Sequence, residues 1–180
     1  MQMNGNTILI TGAGSGIGRE LARRLHAIGN TVIAAGRRLD ALEATIAGRE
    51  NMHALTVDVD DPNAISQLAE QIQKNHPQVN IVMNCAGIMR YENLSQFSSA
   101  DDAQAQFTTN VLGTIRVVNA LIEHLKKQQN ASILNVSSGL AFVPRLDAAL
   151  YSASKAAVHV YTQCLRQQLL GQIEVIELIP

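Results

Sequence analysis

The stretch that most constrains this chain runs from Asn6 to Leu25, NTILITGAGSGIGRELARRL. Residues 7–10 are a short apolar, β-branched run, followed by Gly12, Gly14, Gly16 and Gly18 and then by Ile17, Leu21 and Leu25 at helical spacing. The pattern predicts a strand, a glycine turn and a helix beginning at about Ser15. Glycines so placed let the backbone take positive φ, and they let a ligand lie against main-chain N–H groups with no Cβ in the way. A helix N-terminus aims unpaired donors and the positive end of its dipole at the same spot, which suits a pyrophosphate. The spacing Gly12-x-x-x-Gly16-x-Gly18 is not G-x-G-x-x-G, and without a following lysine it is not a P-loop. By themselves these glycines also describe a plain tight turn, so the rest of the chain decides between the two.

Strand-like runs alternate with helical patterns along the whole chain. Further strands are predicted at residues 31–35, 52–57, 81–83, 132–137 and 174–179, and helices at 39–47, from Asp61-Pro62 onward, at 100–128 and at 151–170. Asp61 reads as an N-cap with Pro62 as the first helical residue. Such alternation is the signature of βαβ units. The expected fold is α/β: a Rossmann-like, doubly wound parallel sheet with six strands in the order 3-2-1-4-5-6, forming a single domain over residues 1–180.

Composition removes several function classes. A formal charge of -1 offers no basic field for nucleic acid, and no apolar run has the length of a membrane span. With no basic and apolar leader at the amino terminus, a cytoplasmic protein is expected. Cys85 and Cys164 lie in apolar company without C-x-x-C spacing, so both are expected to be buried thiols. The five histidines never form H-x-x-x-H, and no metal site is expected.

Arg37 and Arg38 follow the second strand, whose tip in a dinucleotide fold reaches the adenosine ribose. An acid there would bond a free 2′-hydroxyl, whereas arginine can pair with a 2′-phosphate, so NADP(H) is preferred and NAD(H) remains possible. The alternative is a pair of solvated arginines near Asp40. Tyr151 and Lys155 are one helical turn apart, and an ammonium beside a phenol favours the phenolate. Such a tyrosine could trade a proton with a carbonyl or alcohol oxygen, and Ser138, at a strand's carboxyl end, could donate to the same oxygen. Each residue also has a plainer reading: Tyr151 as a packing residue, Ser138 as a turn cap, Asn110 as a buried amide bonded to a helix carbonyl.

Taken in order, T-G-x-x-x-G-x-G at Thr11 to Gly18, Asp58-Val59, N-x-A-G at Asn84 to Gly87, Asn110, Ser138 and Y-S-A-S-K at Tyr151 to Lys155 resemble the short-chain dehydrogenases/reductases. The opening N-T-I-L-I-T-G with G-N-T-V-I-A-A-G-R-R is most similar to the bacterial DltE-like branch. The resemblance implies that Asn110, Ser138, Tyr151 and Lys155 form a catalytic tetrad, with Asn110 holding a relay water. It implies a cofactor-binding set of Gly12, Ser15, Gly16, Ile17, Gly18, Arg37, Arg38, Asp58, Val59, Asn84, Ala86, Gly87, Tyr151 and Lys155. In that set Asp58 meets the adenine amino group, Asn84 to Gly87 lies along the cofactor and steadies the sheet, and Lys155 also binds the nicotinamide ribose.

The family usually continues past a Pro-Gly after the sixth strand to a substrate lid and a seventh strand, whereas this sequence stops at Pro180 and reads as truncated there. The sixth strand is therefore expected to pair with, or be covered by, something outside this sequence. The apolar faces of the 100–128 and 151–170 helices predict a homodimer or homotetramer through them. The expected activity is NADP(H)-dependent hydride transfer between nicotinamide and a small-molecule carbonyl or alcohol. A non-catalytic dinucleotide sensor or interaction subunit is the alternative. The substrate is not legible: residues 88–94 and 140–146, expected at the pocket, mix apolar side chains with Arg90, Glu92 and Arg145.

Overall fold

The structure, a computed structural model, describes residues 2–96 and 100–180. Six parallel strands form one sheet: β1 (Thr7–Thr11), β2 (Thr31–Gly36), β3 (Met52–Thr56), β4 (Val79–Asn84), β5 (Ser132–Val136) and β6 (Glu174–Leu178). Their order is β3-β2-β1-β4-β5-β6, as the sequence led us to expect. The reversal at β1, where Leu9 pairs with Ile33 on one side and Val82 on the other, opens a crevice at the strands' carboxyl ends.

Strand alternation divides the core between the two faces. Leu9, Ile33, Val82 and Ile133 pack towards α3 (Pro62–Asn75), α5 (Thr114–Leu125) and α6 (Ala149–Gln168). Ile8, Ile10, Val32 and Met83 face α1 (Gly16–Ala27) and α2 (Leu39–Ile46) instead. Because both faces are covered, these strands read as continuous apolar runs. Asp61 caps α3 as expected, its carboxylate accepting from the Asn63 amide at 2.8 Å with Pro62 opening the helix.

Three local expectations are corrected. The single helix over 100–128 is α4 (Ala100–Phe107), a π-helical stretch Thr108–Gly113, and α5. The wider π turn rotates the buried face, so Val117, Val118, Leu121 and Leu125 enter the core while Phe107, Val111, Ile115 and Ile122 are only partly buried. In α1 the buried face is Gly18, Ala22 and Leu25, and Ile17 is exposed at the crevice. Cys164 is exposed on α6, because helical phase turns it away from the Val158 and Leu165 face.

β6 pairs with β5 on one side, and no strand among the described residues lies on its other side.

Candidate active site

The crevice holds a cavity of about 600 Å³ whose wall runs from the glycine turn to the start of α6. Gly12 has φ +68, and a Cβ there would sit 2.8 Å from the Ala86 backbone, so the β1 and β4 turns approach as closely as a bare Cα allows. Thr11 fastens that approach from below: its hydroxyl oxygen accepts from the amides of Cys85 at 3.2 Å and Ala86 at 3.3 Å. Gly16, at φ +52, has nothing within 4 Å of where a Cβ would be, so it leaves the mouth of the turn open. Ser15 stands at the N-cap of α1 in extended geometry with no side-chain cap bond. Among the described residues the first amides of α1 thus have no side-chain acceptor, and Gly16, Ile17 and Gly18 line the cavity, an arrangement that stabilises an anion.

Most of the residues expected from the sequence line this one cavity: Gly12, Ser15, Gly16, Ile17, Gly18, Arg37, Arg38, Asp58, Val59, Ala86, Gly87, Tyr151 and Lys155. Asp58 has one carboxylate oxygen committed to the Asp60 amide at 3.0 Å. Among the described residues neither Arg37 nor Arg38 forms a salt bridge, and Asp40 pairs with neither.

Three expected residues are not part of that lining: the buried Ser138, and Asn84 and Asn110, which stand behind the wall. Asn84 points into the sheet, where its Nδ2 donates to Asn135 Oδ1 at 2.9 Å; it ties β4 to β5 and does not line the cavity. Asn110, fully buried in the π-helical stretch, accepts from the Ile88 amide at 2.8 Å through Oδ1. Its Nδ2 donates to the Ile88 carbonyl and to Ser154 Oγ, both at 2.9 Å. The side chain therefore acts on the backbone of the β4 turn and on α6 rather than on the cavity. A buried amide was anticipated, but its partners are a loop and a serine hydroxyl, not a helix carbonyl.

At the far end the Lys155 Nζ donates to the Val136 carbonyl at 2.8 Å and lies 5.8 Å from the centre of the Tyr151 ring. Burial lowers the Lys155 ammonium to a pKa of about 8, with the neighbouring Cys85 opposing the shift. Burial raises the Tyr151 phenol above its ordinary value, while a hydrogen bond with the Ser138 side chain pulls it back. The expectation that Lys155 makes this phenol acidic is thus not met in the chain by itself. Desolvation outweighs any effect of an ammonium held against the Val136 carbonyl. The Ser138 hydroxyl accepts from the Leu140 amide at 3.2 Å, so the cap and the site are one residue.

Sequence reasoning passed over Ser154, which fastens Asn110, and Thr109, whose hydroxyl donates to Asp60 Oδ2 at 2.9 Å. Ser154 is legible only as the second serine of Y-S-A-S-K, and Thr109 only as the neighbour of Asn110. Burial also pushes the Cys85 thiol up to about 12, which makes it an inert wall residue. Among the described residues no group of three or more His, Cys, Asp or Glu could hold a metal ion, and no helix is long and apolar enough to cross a membrane.

A doubly wound sheet with a glycine turn, a strand-end serine and a Tyr-x-x-x-Lys helix around one crevice defines a dinucleotide-binding oxidoreductase class. The family model described as short chain dehydrogenase matches residues 6–180, and the chain belongs to that family. Within it the chain falls in the DltE-like branch: it is 37% identical to the oxidoreductase DltE of Bacillus subtilis over 186 aligned positions, covering 100% of this chain and 72% of that protein. A crystal structure of a short chain dehydrogenase from Shigella flexneri 2a complexed with NADP superposes with a TM-score of 0.91 at 28% identity, over 98% of this chain and 77% of that one. A short chain dehydrogenase/reductase from Burkholderia phymatum in complex with NAD gives a TM-score of 0.91 at 27% identity, over 100% of this chain and 66% of that one.

Proposed function

We propose that this protein is an NADP(H)-dependent oxidoreductase that interconverts a small-molecule carbonyl and its alcohol, with Tyr151 as the acid and base. The observation that carries this reading is that Tyr151 and Lys155 line one end of a cavity whose other end is the open glycine turn, with the Ser138 side chain hydrogen-bonded to Tyr151. The residues present fit a dinucleotide: uncapped amides of α1 for a pyrophosphate, Asp58 for an adenine amino group, and Arg37 and Arg38 for a 2′-phosphate. A reduced nicotinamide bound there supplies the hydride.

The chain's own residues handle the proton. Ser138 orients the carbonyl oxygen, and Tyr151 Oη gives its proton to that oxygen in reduction or receives it in oxidation. A phenol is protonated at neutral pH, the form that reduction requires, and burial pushes Tyr151 further in that direction. Lys155, fixed by the Val136 carbonyl, holds positive charge beside the phenol as its proton leaves. Arg37 and Arg38, which form no salt bridge among the described residues, favour NADP(H) at the cavity wall, while NAD(H) remains a usable substitute.

The rim bears on the substrate. Arg90 pairs with Asp102, Arg145 with Asp147, and Glu92 with a backbone amide of α6, so the charges near the mouth are spent within the protein. Met89, Tyr91, Phe142 and Val143 are exposed around them, which supports an uncharged, apolar carbonyl compound. The partly exposed row Phe107, Val111, Ile115 and Ile122, with exposed Leu112 and Val160, supports self-association through α5 and α6 into a homodimer or homotetramer. We take residues 1–180 as one cofactor-binding and catalytic unit, with the outer edge of β6 paired in the working assembly.

The test is Tyr151→Phe. NADPH consumption with an aldehyde panel should fall by at least a factor of about 1,000, with NADPH affinity by calorimetry within twofold. Carbonyl reduction that survives the substitution would refute the role of Tyr151. NADPH binding with no turnover by the unaltered protein would favour the sensor reading instead.

A further inference from the structure

Tyr151 is the third residue of α6, and the first turn of a helix is only as fixed as its cap. The residue at the N-cap is Ala148, which has no side chain able to accept from the first amides. The missing acceptor comes from elsewhere in the chain: the Leu150 amide donates to Glu92 Oε1 at 2.7 Å across 58 residues of sequence. The Glu92 amide in turn donates to the Asp147 carbonyl at 3.0 Å, so backbone and side chain of one residue straddle the start of the helix. Arg145 adds a third lace, lying 5.2 Å over the Tyr91 ring while it pairs with Asp147 at 2.5 Å.

Glu92 is not an incidental surface carboxylate. Its Oε2 is buried with no hydrogen-bond partner among the described residues, a cost that an exposed glutamate would avoid by turning to water. The positive end of α6 offsets that cost, because a carboxylate is stabilised at a helix N-terminus. The same loop is anchored further back, where the Ile88 amide meets Asn110 and the Arg90 amide meets Gln106 Oε1 at 3.1 Å. A single strap thus runs from the cavity wall to the turn that holds the phenol.

We propose that Glu92 is a positioning residue for the reaction, capping α6 from outside its own sequence and so fixing Tyr151 against Ser138. The catalytic half of this inference rests on the oxidoreductase reading above, whereas the capping half does not. Lys155 lies a turn deeper and has its own anchor on Val136, so loss of the cap should loosen Tyr151 selectively.

Amide hydrogen exchange and steady-state kinetics on the protein with Glu92→Ala and Glu92→Gln test both halves. In Glu92→Ala, exchange at Leu150 and Tyr151 should quicken by about tenfold while the central strands keep their protection. kcat for carbonyl reduction should fall by about tenfold with the KM for NADPH within about twofold. Glu92→Gln retains an acceptor oxygen and should return both quantities to within about threefold of the unaltered protein. Unchanged exchange at Leu150 and Tyr151 in Glu92→Ala would overturn the cap. Faster exchange with unchanged kcat would overturn the positioning role, as would a uniform rise in exchange with Glu92→Gln no better than Glu92→Ala. If the unaltered protein binds NADPH but reduces no carbonyl, the oxidoreductase reading fails together with the catalytic half, and the exchange data still decide the cap.

Discussion

Replacing Lys155 by methionine separates what this side chain does for the reaction from what it does to the fold. Lys155 is 5% exposed, and burial takes its pKa from the usual 10.5 to about 8. Keeping the proton at neutral pH therefore costs the native state roughly 3 kcal/mol. Charged or neutral, the lysine nitrogen can donate to the Val136 carbonyl, a contact worth about 0.5–1.5 kcal/mol that methionine cannot make and whose loss leaves that carbonyl unpaired. Lys155→Met should accordingly leave stability at pH 7 unchanged or raise it by up to about 2 kcal/mol, while NADPH-dependent turnover is lost. The pH dependence is the sharper test. Between about pH 8 and 10.5 the unfolded chain holds a proton that the native lysine has released, so the unfolded state binds more protons and stability rises with pH. Urea unfolding of both proteins from pH 7 to pH 10 should show the unaltered protein gaining about 2.5 kcal/mol relative to Lys155→Met, with other titrations cancelling in the difference. A difference that stays flat with pH would refute the argument that Lys155 is held in a desolvating site.

A Cβ on Gly113 would stand 2.8 Å from Val59 Cγ2 and 3.1 Å from Val59 Cβ. Gly113→Ala should therefore cost about 1–3 kcal/mol in urea unfolding and weaken NADPH binding by displacing the Asp58-Val59 wall. Arg37→Asp should shift the ratio of kcat/KM for NADPH over NADH towards NADH by at least about tenfold, and an unchanged ratio would remove Arg37 from phosphate recognition. Across a series of straight-chain aldehydes kcat/KM should rise about threefold to fourfold per added CH2, and a terminal carboxylate should abolish that gain. A flat series, or a preference for the charged compounds, would overturn the apolar reading of the rim.

What could be read without coordinates is what depends on local rules. Strand runs, caps such as Asp61-Pro62 and the glycine turn are short-range features, so six strands and their order followed from alternation and from the handedness of βαβ crossovers. The convergence of distant motifs on one crevice was also legible, because a doubly wound sheet brings the carboxyl ends of its strands together. The π-helical stretch at Thr108–Gly113 was not, since apolar spacing over residues 100–128 fits an unbroken helix and the wider turn is held by Asp60, Ile88 and Ser154 from other elements.

The amino-acid order by itself determined the fold class, the family and which residues gather at the crevice, because periodicity and turn chemistry act over a few residues. Only tertiary structure decided which of those residues face the cavity and which brace it from behind. Asn84 and Asn110 turned out to be braces, Glu92 a cap for a helix 58 positions away, and Tyr151 a phenol raised by burial. Desolvation and hydrogen-bond pairing depend on everything packed around a group, and that environment is assembled from segments far apart in the chain.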